Sequence, residues 1–196
     1  MATQPFGNTT VLLGVSGSIA VYKACDLVRG LVKRGADVHV LMTANAAAFV
    51  TPMTFQTLSR NPVTTGLFDE IEAWEPGHVA LADKAAVLAV APATANVIAK
   101  LACGIADDAL TSTALAFGGP VVIAPAMNTG MYTHPATVAN LATLSRRGAV
   151  VVKAGTGELA CGTTGPGRLA PVEEIIAAIE RAVRASGRPA PRARRP

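Results

Sequence analysis

Aromatic side chains are scarce in this sequence: five Phe, two Tyr and one Trp make up 4% of 196 residues. A core without large rings must be filled by Ala, Val, Leu and Ile, and 51% of the chain is apolar. One well-buried domain is expected from that length and composition, not two. Charged residues are also few, at 15%. No apolar run reaches the roughly 18 residues that a membrane span needs, so no membrane association is expected. Met1 to Asn8 lacks a basic stretch followed by an apolar one, so a secretory signal is not expected either. The three cysteines, Cys25, Cys103 and Cys161, cannot all pair and show no CxxC spacing. That pattern argues against a disulfide framework and a zinc site, and fits free thiols in a cytoplasmic setting.

Basic charge is concentrated at one end. The net charge is +4, and Arg188, Arg192, Arg194 and Arg195 all lie in the last ten residues. Of 17 Lys and Arg, the 13 that remain balance the 13 Asp and Glu. A nucleic-acid-binding domain would spread basic residues over one face, so no nucleic-acid partner is expected. Composition divides the chain into an N-terminal extension (1–8), a folded body (9–186) and an Arg/Pro-rich tail expected to be disordered (187–196).

The body alternates short apolar runs with helical patterns. Thr10–Val15, Ala36–Met42, Ala85–Thr94, Pro120–Asn128 and Gly148–Ala154 each hold a strand. A helical pattern starts at Ser18, with Ile19, Tyr22, Leu27, Leu31 and Val32 near one face and Gly35 closing it. Further helices are predicted near Asn96–Leu101, Pro135–Arg147 and Pro171–Ala185, the last with Glu173 and Glu174 in its first turn. Residues 61–77 read as a loop or flap. The alternation predicts a single α/β domain. Its sheet is an open parallel one of Rossmann-like (flavodoxin-like) type, with helices on both faces.

Ligands of such sheets sit at the carboxyl ends of the strands. Five segments reach that rim: Gly14–Lys23, Thr43, Ala91–Asn96, Ala124–Asn128 and the glycine-rich stretch around Cys161. Gly17 and Ser18 at a helix start suit a phosphate, although a tight turn with no ligand would use the same residues. The spacing is not GxGxxG, and Met42–Thr43 stands where a nicotinamide dinucleotide needs an acid. It is not GxxxxGK[ST] either. One phosphate cradle with a slot for a ring fits FMN. Asn128 ends a buried strand on the rim, where its amide can hold a carboxylate or carbonyl. His78 alone reads as a surface or cap residue, and His39 as structural. Asp107 and Asp108 lack a third metal ligand and read as a helix start or an intersubunit contact. Cys25 and Cys103 read as small core residues.

Taken together, SGSIAVYK, GHVALA, APATANVIAKLACGIADD, PAMNTGMY and ACGTTGPGR occur in this order between residues 16 and 168. The set resembles the homo-oligomeric flavin-containing cysteine decarboxylases. The resemblance implies an FMN enzyme that oxidises the CH2–S of a C-terminal cysteine moiety and so creates the electron sink that carbon dioxide loss requires. It assigns His78, Asn128 and Cys161 as catalytic, with Asn128, Met131, Ala160 and Gly162 against the substrate. FMN would lie against Gly17, Ser18, Ile19, Ala20, Thr43, Phe49, Ala93, Thr94 and Ala95. In this family FMN sits at the subunit contacts of a homotrimer, and bacterial members often form dodecamers. The implied substrate is 4′-phosphopantothenoylcysteine, on the way to coenzyme A. The alternative is a peptide's C-terminal cysteine, left as an enethiol. A non-catalytic flavoprotein that binds partners is the reading from another class.

Overall fold

The computed structural model describes residues 5–67, 77–160, 162 and 164–186, with 77–80 described by backbone only. In chain order the elements are β1 (Thr10–Val15), α1 (Val21–Lys33), β2 (Asp37–Met42), α2 (Ala44–Ala47), α3 (Pro52–Ser59), β3 (Val63–Thr64) and α4 (Gly77–Lys84). There follow β4 (Val87–Ala93), α5 (Ala95–Cys103), α6 (Ala109–Ala116), β5 (Val121–Pro125), α7 (Thr129–Thr133) and α8 (Pro135–Arg146). The last are β6 (Val150–Val151), β7 (Gly155–Glu158), β8 (Thr164–Arg168) and α9 (Val172–Ser186).

Strands β1 to β6 form one parallel sheet in the order β3-β2-β1-β4-β5-β6. Without the two-residue β3, the order is that of flavodoxin-like sheets; with it, the order is that of Rossmann sheets. Both faces are covered, as the near-continuous apolar strands require. Along β1, Val11, Leu13 and Val15 enter one core, with Leu27 and Leu31 of α1, Phe55 of α3 and Ile175 and Ile179 of α9. Leu12 points the other way, into a core with Ile98 of α5, Leu110 of α6 and Leu144 of α8. This alternation is the period of two that a strand imposes. Gly14 falls on the second face, where a Cβ would overlap Leu110 Cδ1. Phe6 joins the first core, and its N–H donates to Arg34 O at 3.2 Å.

Several expectations change. The helix begins at Val21, not Ser18. A turn over residues 16–20, with Val21 N–H donating to Ser18 O, rotates Ile19 and Tyr22 out of the buried stripe. They are 57% and 58% exposed, and the buried stripe of α1 is Val21, Ala24, Leu27, Val28 and Leu31. Cys103 is exposed, because it ends α5 where Gly104 turns the chain in a left-handed cap. Cys25 is partly buried against the first core, as expected. Within 61–77, Val63 and Thr64 pair with Val40 and Leu41 as β3; residues 68–76 lie outside the described residues. The residues on either side of the glycine-rich stretch around Cys161 pair as an antiparallel hairpin, β7–β8. Asp108 caps α6 in a capping box with Thr111. His39 is held in β2 by Asp37 at 3.1 Å.

Candidate active site

Strand order reverses between β1 and β4, and there the loops leaving the two strands diverge. Ser16, fully buried, ties them together. Its Oγ donates to Pro92 O at 2.7 Å and accepts from Thr94 N at 3.0 Å. Thr94 in turn caps α5, its hydroxyl accepting from Val97 N–H at 3.4 Å. Beside the clip, a Cβ on Gly17 would lie 2.5 Å from Asn45 Cβ and 2.9 Å from Asn45 C. The glycine is therefore required by close packing on α2, and not by an anion alone.

Above the clip lies a cleft of about 610 Å³. The β1–α1 segment lines it with Gly17, Ser18, Ile19 and Ala20, and with Tyr22 and Lys23 in the first turn of α1. Thr94 contributes from the second loop, and Met127, Asn128 and Met131 from the segment after β5. Ala126 N–H donates to Ala93 O at 3.0 Å, which sets that segment across the end of β4. Asn128 caps α7, its Oδ1 accepting from Gly130 N–H at 2.8 Å.

The hairpin closes another side with Glu158, Leu159, Ala160 and Arg168. Its root is seated on the Asn128 segment through glycines. Met127 N–H donates to Gly167 O at 2.9 Å. A Cβ on Gly167 (φ +132°) would overlap Met127 O, and one on Gly165 would lie 2.5 Å from Thr129 Oγ1.

The structure thus brings Gly17, Ser18, Ile19, Ala20, Thr94, Asn128, Met131 and Ala160 to one cleft. It does not bring all the expected residues there. Thr43 spends its hydroxyl as the cap of α2, accepting from Ala46 N–H at 3.3 Å. Phe49 is exposed beyond α2, Ala93 is buried in β4, and Ala95 opens α5 without lining the cleft. Gly162 also stands off it, its N–H donating to Leu159 O at 2.8 Å. His78 lies on α4 with its side chain outside the described residues, and Cys161 is outside them altogether. Sequence reasoning missed Ser16, Lys23, Glu158 and Arg168. Lys23 had a signal, a cation one turn into the helix that follows the glycine loop.

Lys23 sits with its Nζ 5.8 Å from the Tyr22 ring centre. The ion pairs among the described residues, Arg34 with Glu173 and Glu180, His39 with Asp37 and Lys100 with Asp107 and Asp108, leave out both Lys23 and Arg168. Among the described residues the perturbed groups lie elsewhere. The hydrogen bond that Lys100 Nζ donates to Asp107 Oδ1 raises the Lys100 pKa and lowers that of Asp107. Burial, then the charge of Asp26, raises that of Cys25. Among the described residues no cluster of His, Cys, Asp and Glu could hold a metal ion, and no helix is long and apolar enough to cross a membrane.

The flavoprotein family model matches residues 2–184. The chain belongs to the flavoprotein family. Among curated relatives, the coenzyme A biosynthesis bifunctional protein CoaBC of Bacillus subtilis (strain 168) is 52% identical over 174 residues. That match covers 89% of this flavoprotein and 43% of the relative, so the chain spans less than half of the relative's length. Among solved structures, the FMN-dependent cysteine decarboxylase SpaF is 33% identical with a TM-score of 0.80, covering 93% of this chain and 99% of that one. A Cys-to-Ser variant of PPC decarboxylase complexed with pantothenoylaminoethenethiol is 29% identical with a TM-score of 0.79, covering 89% and 97%.

Proposed function

We propose that the chain is an FMN-dependent decarboxylase that converts 4′-phosphopantothenoylcysteine to 4′-phosphopantetheine in coenzyme A biosynthesis. The observation that carries this reading is the cleft at the strand reversal, with Asn128 and the hairpin on facing segments. The 52% identity to CoaBC supports the substrate. The residues fit the cofactor: flavodoxin-like sheets hold FMN at this crevice. Ser18 and Thr94 offer hydroxyls for phosphate and ribityl oxygens, and Ile19, Met127 and Met131 offer an apolar surface for a ring. Bound there, FMN would supply reversible two-electron redox chemistry at the sulfur-bearing carbon, so that the oxidised CH–S group can serve as the electron sink for loss of carbon dioxide and be restored afterwards.

The chain's own residues divide the remaining work. Asn128 Oδ1 is committed to Gly130 N–H, which orients Nδ2 as the donor that would hold the substrate carboxylate. Lys23 adds positive charge and draws an anionic substrate toward the cleft. His78 is assigned the proton of the substrate thiol, or the stabilisation of its charge, and Cys161 the proton returned to the enethiol. The net change releases carbon dioxide, places one proton on the carbon it leaves, and leaves no net oxidation. We also propose a homotrimer or dodecamer. Met53 and Leu115, 67% and 64% exposed, provide apolar contact surface.

The test is mass analysis of the products when the purified, FMN-loaded chain is given phosphopantothenoylcysteine or a peptide ending in cysteine. Loss of carbon dioxide alone from the first substrate supports the reading. Loss of carbon dioxide and two hydrogens, from the peptide only, refutes it in favour of the enethiol-forming class. A yellow protein that turns over neither is a binding module.

A further inference from the structure

The hairpin carries an arginine that packs along its own partner strand. Gly155 pairs with Arg168 across the hairpin. A Cβ on Gly155 would lie 3.7 Å from Arg168 Cβ, and one on Gly157 2.7 Å from Arg168 Nη1 and 3.3 Å from Cδ. Two glycines separated by Thr156 thus form a bare track on β7, and the Arg168 side chain runs along it toward the tip. Gly157 also holds φ at +153°, where a side chain is strained. Arg168 is also among the residues that line the cleft with Asn128. No ion pair among the described residues uses it.

We propose that Arg168 binds the terminal phosphate of the substrate and thereby seats the hairpin on the cleft. The inference rests on the proposed substrate, which carries two anionic ends. Asn128 is assigned the carboxylate, and the β1–α1 segment with Ser18 the cofactor phosphate. The phosphate of the substrate needs a separate positive group, and a guanidinium fork matches phosphate oxygens in pairs. Glu158 also lines the cleft, and its negative charge would disfavour a phosphate placed beside it. Arg168 follows Gly167, whose carbonyl holds Met127 N–H, so a phosphate held there bears on the segment that carries Asn128. Binding energy from a remote, non-reacting group would then serve orientation at the reacting carbon.

The test crosses the substrate with the residue. FMN-loaded wild type, Arg168→Ala, Arg168→Lys, Gly157→Ala and Lys23→Ala are each assayed with phosphopantothenoylcysteine and with dephosphorylated pantothenoylcysteine. In the wild type the phosphate should raise kcat/KM by about 10- to 100-fold, the worth of a charge-assisted contact. In Arg168→Ala that factor, the ratio of kcat/KM with and without the phosphate, should fall to near one, whatever the absolute rate with the dephosphorylated substrate. Arg168→Lys should keep part of the factor. Gly157→Ala should reduce it although Arg168 is intact, which keeps the inference testable should Arg168→Ala lose its flavin. A phosphate factor that survives in Arg168→Ala, or that vanishes only in Lys23→Ala, overturns the assignment. If the wild type decarboxylates neither compound, the proposed function falls, and this inference with it. If it decarboxylates both without preference, only this inference falls.

Discussion

Replacing Ser16 with alanine removes one oxygen from the point where the loops after β1 and β4 meet. Ser16 is fully buried, and its Oγ makes bonds of 2.7 Å to Pro92 O and 3.0 Å from Thr94 N. Pro92 O keeps a second donor, Ser16 N–H at 3.2 Å. Thr94 N–H, part-buried at the cleft, loses its acceptor, and a hydrogen bond of this kind contributes about 0.5–1.5 kcal/mol. With about 1 kcal/mol lost and a shift of about 2–4 °C per kcal/mol in a chain of this size, the Tm should fall by about 2–4 °C. Flavin affinity should weaken as well, because the clip holds Gly17 and Ser18 against Thr94. Circular dichroism melts and flavin fluorescence titration measure the two effects. Thr57→Ala, which removes an exposed hydroxyl bonded to Met53 O at 2.9 Å, is the control and should stay within about 0.5 kcal/mol. A Ser16→Ala protein that melts with the wild type and binds FMN equally well would refute the clip.

Gly14→Ala should destabilise by about 1–3 kcal/mol through overlap with Leu110, and Leu110→Ala in the same chain should recover part of that loss in denaturant titrations. Cys161→Ser should still release carbon dioxide but accumulate the enethiol by mass spectrometry; normal yield of the reduced product would remove Cys161 from its role. His78→Asn should stay yellow in the absorption spectrum and lose substrate oxidation, by about 10²-fold or more. Alkylation at neutral pH, mapped by peptide mass, should label exposed Cys103 well before Cys25. Burial and the charge of Asp26 raise the Cys25 pKa, so its thiolate forms only at higher pH, and its labelling should accelerate as pH rises.

The layered fold was legible because each buried strand is an apolar run and several helices carry their own stop signal. Gly35, closing the first helix with φ at +83°, is one such signal. The rim residues Gly17, Ser18, Thr94 and Asn128 were legible because a parallel sheet fixes where its strands end. Ile19 and Tyr22 were misread because apolar residues at helical spacing look the same whether they face a core or a cleft. The hairpin was hidden for another reason: Gly155, Gly157, Gly165 and Gly167 carry no strand propensity, and their pairing is selected by close contact with Met127, Thr129 and Arg168. Ser16 escaped notice because a serine beside a glycine loop suggests a ligand contact, whereas its hydroxyl is consumed within the protein.

Both margins of the main sheet end in strands only two residues long, β3 and β6. So short a margin offers an incoming chain almost no ladder of amide and carbonyl groups to extend. Copies of this protein therefore gain little by continuing the main sheet. Helix surfaces, such as those that carry the exposed Met53 and Leu115, are left as the larger areas for contact between copies.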